Sequence, residues 1–140
     1  MIALDTNVCI YALEGSFDLS KVAQELLLEI EQSNLDAVVS EVAIAEILSH
    51  SGIQTKAQGQ AVLTWFDRLG LQAKSVSKDV LVAAAKLRRE HAVRLPDAIH
   101  ISSAMLSGAT HLITNDKDLL TKKLADIKII PLECWRDSLA

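Results

Sequence analysis

The sequence is poor in residues that mark specialised protein classes. Its two cysteines, Cys9 and Cys134, are too few for a disulfide framework or a thiolate zinc site. Both read as buried thiols. Two prolines and five glycines exclude collagen-like and low-complexity chains. Aromatic residues make up only 4%, and the Trp65-Phe66 pair lies on a helical stripe, where it reads as core or subunit contact rather than a base-stacking platform. No apolar run approaches the ~18 residues that would span a bilayer, so no membrane association is expected. The opening Met1-Ile2-Ala3-Leu4-Asp5 lacks a basic segment, so no secretory signal is expected and a cytoplasmic location is.

What is present is the composition of one globular domain over residues 1–140, half apolar and 23% charged, which excludes disorder. The net charge of -4 is unevenly spread. Residues 1–70 carry ten acids against Lys21, Lys56 and Arg68, a balance of -7, whereas residues 71–140 carry eight acids against eleven bases, +3. The acidic total argues against a broad basic face for nucleic acid, and a local basic strip in the second half stays open.

Short β-like runs alternate with helix-period segments. Strands are expected at 2–4, 36–40, 73–76, 111–114 and 128–130. Helices are expected from a Ser20 cap with the stripe Ala23, Leu26, Leu27 and Ile30, over 41–51 capped by Ser40, and over 54–69 stopped by Gly70. Further helices are expected over 77–90, from Pro96 to about 107, and over 116–124. Strands separated by helices imply parallel crossovers and a sheet covered on both faces. The fold class is α/β, a three-layer sandwich.

In such a sheet ligands bind beyond the carboxyl ends of the strands, where strand order reverses. Asp5 follows the first strand and Asp116 the fourth, although either acid alone is adequately explained as a helix cap. Glu46 is surrounded by Val42, Ala43, Ile44, Ala45, Ile47 and Leu48, with no Lys or Arg three or four residues away. A partly desolvated carboxylate must be protonated, paired or cation-bound. Asp97 opens a helix, where an acid complements the dipole. His100, in the same apolar helix, reads as a satisfied core histidine rather than a metal ligand, because no second histidine has ligand spacing.

Together these residues resemble the PIN-domain family of metal-dependent ribonucleases, nearest its VapC-type toxin branch. The match covers nearly the whole chain in four ordered parts: Leu4-Asp5-Thr6-Asn7, Ser40 to Glu46, Leu95-Pro96-Asp97-Ala98-Ile99-His100, and Thr114-Asn115-Asp116-Lys117-Asp118. The resemblance implies a five-stranded parallel sheet ordered 3-2-1-4-5, with Asp5, Glu46, Asp97 and Asp116 in one catalytic pocket binding Mg²⁺ or Mn²⁺. Asp118 is equally well read as an additional ligand or as a helix-start acid. Thr6 and Asn7 would orient carboxylates, with Thr114 beside them and Ser40 capping at the pocket edge. Hard divalent cations suit carboxylate oxygens, and the implied chemistry is in-line attack of water on RNA, leaving 5′-phosphate and 3′-hydroxyl ends. Arg94 and Lys117 are the candidate RNA phosphate contacts. The implied partners are RNA, a cognate antitoxin, and a second copy of the chain meeting it through apolar parts of the early helices.

Other classes fit less well. A phosphoacceptor receiver wants an acidic pair after its first strand, and a haloacid-dehalogenase-type phosphatase wants Asp-x-Asp, where this chain has Asp5-Thr6-Asn7. A non-catalytic PIN module for RNA binding is the remaining alternative, and the presence of all four acids favours the enzyme. Without those four, fourteen acids face fourteen bases, so the whole formal net charge would reside in the pocket. Carboxylates that crowded cannot all ionise cheaply, and Asp97→Asn or Glu46→Gln is expected to raise metal-free stability.

Overall fold

Parallel strands need crossovers, and every strand pairing here is parallel. The structure is a computed structural model that describes residues 1–15, 18–50 and 52–140. Its strands are β1 (Ile2–Leu4), β2 (Ala37–Ser40), β3 (Gln72–Lys74), β4 (His111–Thr114) and β5 (Lys128–Pro131), in the order β3-β2-β1-β4-β5. β1 lies between β2 and β4, with Ala3 opposite both Val38 and Leu112. Strand order therefore reverses beside β1, and the ends of β1 and β4 are neighbours.

Side-chain alternation along the strands builds the two apolar faces. Ala3, Val38 and Leu112 face one cluster with the buried sides of α5 (Lys78–His91) and α6 (Leu95–Leu106). Ile2, Leu4, Ala37 and Ile113 face the other, with the Ala23, Leu26, Leu27 and Ile30 stripe of α2 (Ser20–Glu31). A third cluster joins Cys9, Val39, Ala43, Ile47, Val62 and Phe66 beneath α3 (Val42–Leu48) and α4 (Lys56–Arg68). Phe66 is core, and Trp65 packs against two of the clusters while remaining partly exposed.

Several local expectations change. A first helix, α1 (Thr6–Glu14), follows β1 directly, with Asp5 as its N-cap and Gly15 closing it at φ 67°. Ser20 is the first residue of α2 rather than its cap, a position taken by Leu19. The helix over 41–51 shortens to α3, and the far end of that expectation, Ser51, lies outside the described residues. β3 sits slightly earlier in the chain than expected. The helix over 116–124 shrinks to α7 (Lys117–Leu120). A 3-10 turn over Leu132–Cys134 and α8 (Trp135–Leu139) follow β5, burying Leu132 and Trp135 against the α2 face. Cys134 is exposed, not buried. Cys9 is buried; burial first, then the charge of Asp5, push its thiol up to about 12, which leaves it unreactive.

Candidate active site

The carboxyl end of β1 is tied to β4 before any side chain acts, because Asp5 N donates to Ile113 O at 3.0 Å. The Asp5 carboxylate then accepts from Thr6 N at 2.8 Å on Oδ1 and from Thr114 Oγ1 at 2.7 Å on Oδ2. Thr114 also accepts from Asp116 N at 3.0 Å, so one hydroxyl sets the position of two acids. Burial raises the Asp5 pKa, against the lowering effects of His100 and of its hydrogen bonds. Asp116 caps α7, its Oδ1 accepting from Asp118 N at 2.9 Å and Leu119 N at 3.4 Å. Asp118 itself is an exposed first-turn residue whose backbone serves that cap.

Asp97 enters the pocket from the first turn of α6 and is buried. Burial, and next the charge of Asp5, raise its pKa. Arg94 reaches over it, Nε donating to Asp97 Oδ2 at 3.1 Å while Nη2 stands 3.6 Å from Asp116 Oδ2. One guanidinium therefore sits between two acids from different elements.

Glu46 is half-buried on α3 and points to a group that the sequence reading treated as core. His100 is only 2% exposed, and its Nε2–H donates to Glu46 Oε1 at 2.5 Å. Thr6 Oγ1 donates to the same oxygen at 2.8 Å and lies 3.1 Å from the ring nitrogen. Asp5 Oδ1 stands 4.0 Å from His100 Nε2. The bond from His100 lowers the Glu46 pKa, with burial opposing it. For His100, burial works against the charged ring, but the bond to Glu46 and the negative charges of Asp5, Glu46 and Asp97 outweigh it and raise the pKa. The clue in the sequence was the spacing: His100 lies one helical turn after Asp97, on the same face.

The remaining candidates fall into different places. Thr6 and Thr114 touch carboxylates directly. Asn7 does not; its Oδ1 accepts from Asn115 N at 3.4 Å, and Asn115 Nδ2 donates to Tyr11 Oη at 3.0 Å, so Asn7 and Tyr11 hold the β4–α7 loop. Ser40 is buried and accepts from Val42 N at 3.3 Å, starting α3. Lys117 is exposed on α7, and Arg88 and Arg89 line a surface groove with Leu95, the residue after Arg94.

Among the described residues, no three acids, histidines or cysteines converge tightly enough to enclose an ion. Glu46 is drawn to His100, both Asp5 oxygens hold hydrogen bonds, and Arg94 fills the gap between Asp97 and Asp116. The donor set nevertheless fits a hard divalent cation. Mg²⁺ keeps several waters and takes only one or two carboxylates directly, and Asp97 and Asp116 already share one cationic group.

A family model described as the PIN domain matches residues 2–125. Among solved structures, the chain is similar to VapBC2 from Rickettsia felis, bound to a DNA fragment from its promoter, at 26% identity and TM-score 0.67, over 94% of this chain and 98% of that one. It is also similar to a toxin–antitoxin complex from Klebsiella pneumoniae at 23% identity and TM-score 0.66, over 92% and 100% of the two chains. DNA-bound VapBC from Salmonella typhimurium is 18% identical at TM-score 0.65, over 94% and 97%. The last two likenesses are of fold. No curated protein matches the chain significantly.

Proposed function

We propose that this chain, which belongs to the PIN domain family, is a divalent-metal-dependent endoribonuclease and the toxin of a toxin–antitoxin pair. The carrying observation is the shared cation position, where Asp97 from α6 and Asp116 from the β4–α7 loop face one guanidinium with Asp5 behind them. Asp97 and Asp116 would hold Mg²⁺ or Mn²⁺ in that place, with Asp5 completing the negative field. The ion, when bound, supplies the positive charge that an in-line displacement at phosphorus requires. Burial holds the Asp5 and Asp97 carboxyls above the usual carboxylate range, and a cation in the pocket would favour their ionised forms. Glu46 stays ionised against His100 and Thr6 and presents a fixed, partly exposed carboxylate to water. Asp118 is left as a first-turn acid that adds charge at the rim.

The substrate class is supported by the family resemblance and by nearby cations: Arg94 lies on Asp97 and Asp116, Lys117 follows Asp116 at the start of α7, and Arg88 and Arg89 line a groove with Leu95. An antitoxin is supported by the likeness to VapBC2, and it would present Arg or Lys to the carboxylates. For a second copy, the strongly exposed apolar side chains lie mainly on α5 and α6, with Leu81, Val82, Leu95 and Leu106, and Leu28 stands for the early helices.

The test is cleavage-site mapping on total RNA with purified protein, with Mg²⁺ and with EDTA. The expected result is a discrete set of cuts bearing 5′-phosphates, made only with metal. Metal-independent cutting, or no cutting in any RNA class, refutes the nuclease reading. The toxin reading fails separately if expression leaves a host unharmed.

A further inference from the structure

We propose that Arg94 is a built-in stand-in for the pocket's cation: it closes on Asp97 and Asp116 while the ion is away and must be displaced for the ion to bind. This rests on the nuclease reading above.

Arg94 occupies the N-cap position of α6 and makes no capping hydrogen bond. A cation there is opposed by the helix dipole, which favours negative charge at the N-terminus. Its placement is explained instead by the acids it faces. Nε reaches Asp97 at 3.1 Å, Nη2 reaches Asp116 at 3.6 Å, and the charge of Asp118 adds to theirs. Little else holds it, since its side chain is 76% exposed. The guanidinium can thus leave without opening the core, while Asp116 stays fixed by Thr114 and its α7 cap and Asp97 by its buried place in the first turn of α6.

Two consequences follow. With Arg94 in place, the pocket's carboxylates are partly neutralised, so the fold tolerates them in the absence of metal. The ion must also compete with a tethered cation, which raises the divalent concentration needed for loading. Neither follows if Arg94 is simply a phosphate contact that ignores the acids.

The experiment is Mn²⁺ titration followed by electron paramagnetic resonance on the whole chain, comparing wild type with Arg94→Gln, Arg94→Met and Arg94→Lys. Losing two exposed ion pairs predicts Mn²⁺ binding tighter by about three- to tenfold in the Gln and Met variants. The Lys variant, which keeps a cation, should lie between them and wild type. Melting gives a second readout: the Mn²⁺-induced rise in Tm should be larger for Arg94→Gln than for wild type. Unchanged or weaker Mn²⁺ binding in both neutral variants overturns the proposal while leaving the nuclease reading standing. If wild type and all variants bind no Mn²⁺, both fall together.

Discussion

Replacing Asp97 by Asn and Glu46 by Gln removes one negative charge from the same pocket, yet the two should move stability in opposite directions. The ionised form of Asp97 is disfavoured by the fold even with Arg94 beside it, because burial and Asp5 outweigh that pair. Asn removes the charge and keeps the shape. Relief of strain built into a functional site is commonly worth about 0.5–2 kcal/mol. Glu46 is the reverse, since its charge is the acceptor for His100 and Thr6. Exchanging a charged for a neutral acceptor loses about 1 kcal/mol, and the lower end applies because the Glu46 side chain is 37% exposed. For a chain of this size each kcal/mol moves Tm by about 3 °C.

The pH dependence separates the two further. The Asp97 penalty develops as pH rises from its ordinary 3.8 through the raised folded value, so the gain from Asn is full above that window and absent below it. The Glu46 contribution is present above 4.5 and lost as pH falls through its lowered folded value. The His100 contribution is complete below 6.5 and lost as pH rises through its raised folded value. The Gln deficit should therefore be greatest near pH 6 and shrink at higher pH. The assay is thermal melting in EDTA at pH 6 and pH 8. Shifts of the same sign for both variants would mean that burial at Asp97 and the His100 bond at Glu46 do not set the two charges apart. On charge alone both were expected to stabilise; the His100 bond reverses that for Glu46.

Other outcomes follow from the same geometry. Asp5→Asn and Asp116→Asn should each lower the RNA cleavage rate by about 10² or more while the protein stays folded, as activity and circular dichroism would show. Thr114→Val leaves Asp5 Oδ2 and Asp116 N without their shared hydroxyl and should cost about 1–3 kcal/mol in denaturant unfolding, with reduced cleavage. His100→Ala should destabilise by about 2–4 kcal/mol, whereas His100→Gln, which retains a donor for Glu46, should recover part of both stability and rate. A thiol reagent should label Cys134 in the native protein and Cys9 only after denaturation.

The regular parts of the fold were legible because their periods are clean. The stripes of α2 and α5 repeat as amphipathic helices must, and the short apolar runs of β1, β2 and β4 suit strands covered on both faces. α1 was not legible: Asp5 could be read as a helix cap after the first strand, but Thr6 to Ala12 has no charged residue to mark a solvent face. α7 was overextended because Thr121, Lys122 and Lys123 are compatible with a helix, yet its one buried apolar anchor is Leu119. The acids could be picked out by their positions after strands and in an apolar helix. Their partners could not, since Glu46 meets a histidine 54 residues away and Asp5 a threonine 109 away. Asn7 shows the converse: the motif suggests a carboxylate neighbour, and its side chain instead holds the loop that carries Asp116.

Anomalous diffraction from crystals soaked in Mn²⁺ decides whether these carboxylates form one cation pocket. A manganese peak is expected between Asp97 and Asp116, close to Asp5, with the Arg94 guanidinium moved out of that space. Arg94 still bridging the two acids, with no peak within reach of any of them at millimolar Mn²⁺, would contradict a shared cation pocket.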